Sequence, residues 1–226
     1  MRVLLGLALA LALSAAAAYL LWPRSEETPE GMRAASIGAE TFVYPTAYAR
    51  DEATALGGVA ARLAFAARFP DFDPPVTERS KHGQEPPSRQ DLVLVTISVK
   101  DDGLDPSERP TRLYARFLEG AAAVGPEGLV MRRFEPGSPY DLEQLYLAPP
   151  DGRAFFARCP NQANAEAAAA GDFCLFLFRD GGLDVELRFP PALLEHWEAL
   201  AAGGRAFLAR IRIADRRTTA AGAGGR

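Results

Sequence analysis

Between Phe173 and Phe189 the sequence is organised by a repeat of two. Leu183, Val185, Leu187 and Phe189 are apolar, and the residues between them, Asp184, Glu186 and Arg188, are charged. Successive side chains of a strand point to opposite faces, so this pattern predicts a half-buried antiparallel strand with one wet face. The preceding run, Phe173-Cys174-Leu175-Phe176-Leu177-Phe178, is apolar throughout and predicts a central strand buried on both sides. Asp180-Gly181-Gly182 joins the two. A hairpin turn needs positive φ, which glycine adopts without strain. A chain built around such a hairpin needs further strands beside it to be stable.

The same period supplies those strands. Val93, Val95, Ile97 and Val99 alternate through residues 91–100, with the β-branched side chains that suit a pleated surface. Leu145-Tyr146-Leu147, then Pro149-Pro150-Asp151-Gly152, then residues 154–159 predict a second hairpin. Shorter strands are expected at 41–44, 63–69 and 129–134, while 112–120 fits helix or strand equally. One helix is expected after Pro190-Pro191, with an apolar stripe of Leu193, Leu194, Trp197 and Leu200 and a stop at Gly203-Gly204. Residues 206–213 then read as a last strand or helical turn. The expected fold is α+β and β-rich: an antiparallel sheet with hairpins and one C-terminal helix, preceded by a single N-terminal transmembrane helix.

That transmembrane helix is read from residues 3–22, which are apolar and uncharged between Arg2 and Pro23-Arg24. At 1.5 Å per residue the run spans about 30 Å, the thickness of a bilayer's hydrocarbon core. A signal peptide cleaved among Ser14, Ala15, Ala16 and Ala17 is the alternative, but it would leave Tyr19-Leu20-Leu21-Trp22 at the new terminus. A cytoplasmic Arg2 places the rest of the chain outside the inner membrane, in the periplasm. No cysteine lies near the run, so lipoprotein processing is excluded. The expected layout is a signal-anchor at 1–22, a flexible linker at 23–38 rich in Glu, Ser and Pro, an exported domain at 39–215 and a disordered tail at 216–226.

The formal net charge is −4 and the pI about 5.4, which argues against a nucleic-acid partner. The two cysteines, Cys159 and Cys174, are read as a structural disulfide, because an isolated pair in an exported domain is usually a staple. A redox site would favour Cys-x-x-Cys, and a zinc site would need further ligands. Histidine is nearly absent: His82 sits in a long polar loop at 70–90, and His196 sits beside Trp197. Neither is placed for a nucleophile triad, and Gly137-Ser138-Pro139 is no nucleophile elbow.

A second polar loop, 101–111, carries Asp101, Asp102, Asp105 and Glu108, which tempt a calcium reading. The spacing fails it: Gly103 falls at the third place instead of the sixth, and Pro106 and Pro110 intrude. Asp71, Asp73, Glu135, Asp141 and Glu143 are candidate carboxylates for glycosidase-type chemistry, but sequence cannot set two of them across a cleft. Arg132, Arg133, Arg153, Arg158 and the cluster Arg205, Arg210, Arg212, Arg216 and Arg217 are read as solvated faces. No catalytic residue, cofactor or metal is assigned. The leading reading is a membrane-anchored, exported, non-enzymatic binding module with an envelope protein as partner, possible forms being an inhibitor or immunity protein. A periplasmic hydrolase using paired carboxylates or a loop-bound metal, and a structural subunit of an envelope complex, are the alternatives.

Overall fold

The computed structural model describes residues 31–75, 89–161 and 173–213. Its strands are β1 (Met32–Ile37), β2 (Glu40–Pro45), β3 (Gly58–Val59), β4 (Arg62–Arg68), β5 (Leu92–Val99), β6 (Leu118–Val124), β7 (Val130–Phe134), β8 (Glu143–Leu147), β9 (Phe156–Pro160), β10 (Cys174–Asp180) and β11 (Leu183–Phe189). Among the described residues three α-helices accompany them: α1 (Glu52–Leu56), α2 (Arg109–Arg112) and α3 (Trp197–Ile211). β4 to β11 build one eight-stranded sheet in the order β4-β5-β11-β10-β9-β8-β7-β6. Each junction in it is antiparallel. β6 to β11 follow one another as a meander, and β5 then closes on β11 over a long stretch of chain. A small sheet, β2-β1-β3, lies apart from this ladder.

The architecture is the β-rich α+β fold read from the pattern of alternation, with its helix at the C-terminal end. Asp180 pairs with Leu183 across the Gly181-Gly182 turn, where Gly181 has φ +59°. Leu183, Val185, Leu187 and Phe189 are all buried on the face that α3 covers. There they join Leu63, Phe65, Val93, Val95 and Ile97 from the sheet and Leu200, Phe207, Leu208 and Ile211 from the helix. The opposite face holds a second, smaller core of Tyr114, Phe134, Leu145 and Phe156, with Leu177 packed against it. β10 thus has an apolar cover on both sides, which is why it lacks a polar phase.

Four expectations change. Part of the expected linker is structured: Met32–Ile37 forms β1, paired with β2 from Met32↔Pro45 to Ile37↔Glu40. Only Ala35 and Ile37 of this strand are buried, so its neighbours keep the composition of a linker. The α-helix begins at Trp197, after a 3-10 stretch at Pro191–His196, and does not stop at Gly203-Gly204. It runs through to Ile211, taking up 206–211 of the residues expected as a last strand or turn, after which Arg212 bridges Phe42. A Cβ on Gly204 would stand 2.7 Å from Leu187 Cδ2, and one on Gly203 would enter the Phe72 ring. These glycines serve close approach of the helix to the sheet, and the packing outweighs their low helix propensity of about 1 kcal/mol each.

The third change concerns residues 101–111, which are ordered rather than an irregular loop. A 3-10 turn at Pro106–Glu108 leads into α2, and Pro106 and Pro110 are buried. The ambiguous stretch at 112–120 divides: the end of α2, a 3-10 turn at Tyr114–Phe117, then β6. The expected transmembrane run at 3–22, residues 76–88 of the first polar loop with His82, and the tail at 216–226 lie outside the described residues. Among the described residues no helix is long and apolar enough to cross a membrane.

Candidate functional site

The sheet face away from α3 is covered over only part of its width. Over β7 to β10 the segment 104–117 and Tyr140 build the smaller core. Over β4, β5 and β11 the outward side chains, among them Arg62, Leu94, Thr96, Glu186 and Arg188, stay partly exposed. The step between the covered and bare parts forms an open groove of about 780 Å³. Its floor is Arg62, Leu94, Thr96, Glu186 and Arg188, and its wall is residues 139–143 with Pro160 and Phe173.

Charge in this groove is balanced, three arginines against three carboxylates, and paired in part. Arg188 Nε donates to Glu186 Oε1 at 2.7 Å, and Arg50 reaches Thr96 Oγ1 at 3.5 Å. Arg158 Nη1 meets Glu143 Oε2 at 3.0 Å, and the Arg158 guanidinium lies 5.0 Å from the Tyr140 ring centre and 5.5 Å from that of Tyr114. Cation–π contacts of this kind strengthen when desolvated. Burial raises the Glu143 carboxyl above its ordinary range, against the opposing pull of Arg158 and Arg188. Burial likewise raises the Tyr114 phenol. In the wall of the groove one half-buried ion pair therefore rests against two tyrosine rings that meet edge to face, 5.2 Å apart.

The disulfide sits directly behind this wall. Leu175 pairs with Arg158 and Phe176 with Ala157, so the same register sets Cys174 opposite Cys159. The structure bonds these two, with Cα atoms 4.0 Å apart, and both are buried in the larger core. The groove residues Pro160, the last of β9, and Phe173, just before β10, are the neighbouring positions in the chain. The bond thus ties the chain on both sides of residues 162–172 to the sheet at the groove's end.

The acidic loop has a counterion of its own. Arg179, on β10, donates to both oxygens of Asp184 at 2.6 and 2.9 Å and to Asp101 Oδ1 at 3.2 Å, with Asp105 Oδ2 at 4.0 Å. The hydrogen bond with Asp184 pushes its pKa further up, so it stays charged. Asp105 is held below the usual carboxylate range, first by the Ser107 hydroxyl, and its side chain caps the 3-10 turn. Two of the carboxylates that suggested calcium, Asp101 and Asp105, thus face an arginine that sequence spacing could not connect to them. Among the described residues no group of three or more His, Cys, Asp or Glu side chains is placed to hold a metal.

The other candidates scatter. Asp141 and Glu143 line the groove, but Asp73 faces Arg210 at 3.8 Å on the helix side and Glu135 is exposed in a turn. His196 stacks on Phe69, with ring centres 5.6 Å apart. Ser138 belongs to a turn in which its Oγ accepts from Tyr140 N–H. The C-terminal arginines clamp α3 down. Arg210 bonds the Phe72 carbonyl and the Tyr48 hydroxyl, Arg212 bonds Asp180 at 2.8 Å, and Arg205 lies over Phe178. Arg216 and Arg217 lie outside the described residues.

No protein-family model matches this sequence, and no curated protein does. Among solved structures the fold is similar to that of Smlt3025, an immunity protein of the Stenotrophomonas maltophilia type IV secretion system. The TM-score is 0.56 at 17% identity, covering 80% of this chain and 93% of that one. A weaker likeness, to the iron-regulated outer membrane lipoprotein FrpD of Neisseria meningitidis, has a TM-score of 0.44 at 10% identity and carries no argument. At such identity the first likeness is one of fold.

Proposed function

We propose that this chain is an immunity-type binding protein of the bacterial envelope. A single N-terminal span holds it in the inner membrane, and its periplasmic domain docks on a toxic protein effector and blocks it. The observation that carries this reading is the groove on the bare part of the outer face. Small-molecule sites are enclosed and mostly apolar, whereas this groove is open and lined by guanidinium groups, carboxylates and aromatic rings. Arginine and tyrosine are among the residues that dominate binding energy at protein interfaces, and a fixed pattern of both charges selects a partner of complementary pattern. The shared fold with a secretion-system immunity protein supports the class. A membrane tether would raise the local concentration of the domain where effectors arrive.

The test places a photo-crosslinking amino acid at Arg62 in the full-length chain, with exposed Glu198 on the helix side as control. From Arg62 we expect one crosslinked protein that is toxic in the envelope without this chain and tolerated with it. The double variant Arg50→Glu, Arg188→Glu should lose protection about tenfold or more while keeping its melting temperature. A crosslinked partner common to both positions, or protection indifferent to the charge reversal, overturns the proposal.

A further inference from the structure

The charges that line the groove are unequally occupied. Arg188 holds Glu186 at 2.7 Å, Glu143 meets Arg158 at 3.0 Å, and Asp141 Oδ2 accepts the Gly137 N–H at 3.1 Å. Arg50 and Arg62 differ. Among the described residues the Arg50 side chain makes no ion pair and reaches only the Thr96 hydroxyl, at 3.5 Å. Arg62 meets Asp51 at 3.7 Å and keeps its side chain 64% exposed.

Asp51 is the one carboxylate these two arginines share, and it is already committed. Its Oδ1 accepts the Thr54 N–H at 2.9 Å as the cap of α1. The Thr54 hydroxyl and N–H do most to hold the Asp51 carboxyl low, and Arg62 and Arg50 only add to them. Two guanidinium groups set against one spent carboxylate leave positive charge unmatched at the β4 end of the groove.

The backbone brings the two arginines to that end from different segments. Arg62 stands on the outward face of β4, opposite Ser98 of β5. Arg50 lies alongside β4, where Ala49 bridges Phe65 and Arg50 N–H donates to the Ala64 carbonyl. Its side chain then crosses β4 to Thr96, which shares the outward face of β5 with Ser98 two residues on. We propose that Arg50 and Arg62 together bind a carboxylate of the effector, carried on an acidic segment that lies across Thr96. This inference rests on the groove being the effector's docking surface and names the chemistry it selects.

A guanidinium group suits that ligand, because its planar fork gives a carboxylate two parallel hydrogen bonds. The remaining lining favours a carboxylate over a polyanion. Asp141, Glu143 and Glu186 stand in the same groove and would repel a run of phosphates laid along it.

The test titrates the full-length chain, in detergent, with a fluorescent peptide of alternating Glu and Thr, and reads anisotropy. The Gln–Thr and Lys–Thr counterparts should bind about tenfold more weakly or worse. Arg50→Gln and Arg62→Gln should each weaken the Glu–Thr peptide about threefold or more, and together reduce it to the level of the Gln–Thr peptide. The melting temperature should hold, since the bond from Arg50 to Ala64 is made by backbone. Asp141→Asn on the opposite wall should not weaken the peptide. A Glu–Thr peptide that does not bind, binding that survives the double substitution, or a single-stranded oligonucleotide that competes equally well overturns the proposal. The two readings fail separately. Protection lost in Arg50→Glu, Arg188→Glu without any peptide binding overturns the acidic segment alone, whereas an Arg62 crosslink to no toxic protein overturns the docking surface itself.

Discussion

The two edges of the eight-stranded sheet are treated in opposite ways. On β4 the outward backbone groups of Ala64 and Arg68 are taken up: Arg50 N–H donates to the Ala64 carbonyl at 3.0 Å, and Arg68 N–H to the Asp73 carbonyl at 2.9 Å. Ala64 N–H donates to the hydroxyl oxygen of Thr54 at 2.9 Å. Thr54 is fully buried, and its hydroxyl is held by Asp51, the N-cap of α1. Phe207 on α3 pins the cover from below, packing on Tyr48, Phe65 and Phe72. On β6, among the described residues, Arg132 bonds the Glu119 carbonyl and no further cover lies over Ala122 to Val124. One edge is closed by backbone and side-chain groups drawn from separate segments, and the other is closed far less. The difference teaches that exposure at β6 is not forced by the fold, since the same domain closes its other edge completely enough to bury a threonine there.

If the β4 edge is sealed by packing, substitutions in its cover should cost stability and those at β6 should not. Phe207→Ala should have the largest effect, about 3–5 kcal/mol in denaturant unfolding, because it empties the junction of the three covering segments. Thr54→Val keeps the shape but leaves Ala64 N–H buried without an acceptor, and should cost about 1–3 kcal/mol. Asp51→Ala removes the cap of α1 and should cost about 1 kcal/mol at neutral pH.

The Asp51 effect has a pH signature. The Thr54 hydroxyl and N–H, followed by Arg62 and Arg50, hold the Asp51 carboxyl below its ordinary value of 3.8. A depressed folded-state pKa contributes stability that is fully present above 3.8 and is lost as pH falls through the lower, folded value. The gap between wild type and Asp51→Ala should therefore close in acid below that point, and a gap that widened would contradict the cap. Smallest of all, Ala122→Lys on β6 should change monomer stability by less than about 0.5 kcal/mol. A larger loss would mean that the bare edge carries structural weight after all.

The strands of the meander were legible because their information is local. The alternation in 183–189, the glycines at 181–182 and the apolar run at 173–178 give the period, the turn and the two-sided burial of β10 and β11 within one short stretch. The second hairpin, β8 to β9, was read the same way. The covered edge was not legible. Its closure depends on Thr54 meeting Ala64 and on Asp73 folding back to Arg68, and no periodicity records such single contacts. The groove was half legible: Asp184, Glu186 and Arg188 announce a wet face, and Asp141 and Glu143 stood among the candidate carboxylates. Nothing in the spacing of Tyr114, Tyr140 and Arg158 says that one guanidinium rests against both rings.

Sequence by itself determined the β-rich fold, the hairpins, the C-terminal helix and the identity of the disulfide partners, since only two cysteines exist. These follow from side-chain period and from turn chemistry, which act over a few residues. Tertiary structure alone decided that Met32–Ile37 is a strand, that Gly203-Gly204 lies within a helix, and that Arg179 faces Asp101 and Asp105 of the acidic loop. Each of these is won by a contact between segments far apart in the chain. A glycine ends a helix or lets it approach a sheet depending on whether Phe72 and Leu187 stand above it, and an acidic run binds a cation or an arginine depending on which strand lies beside it.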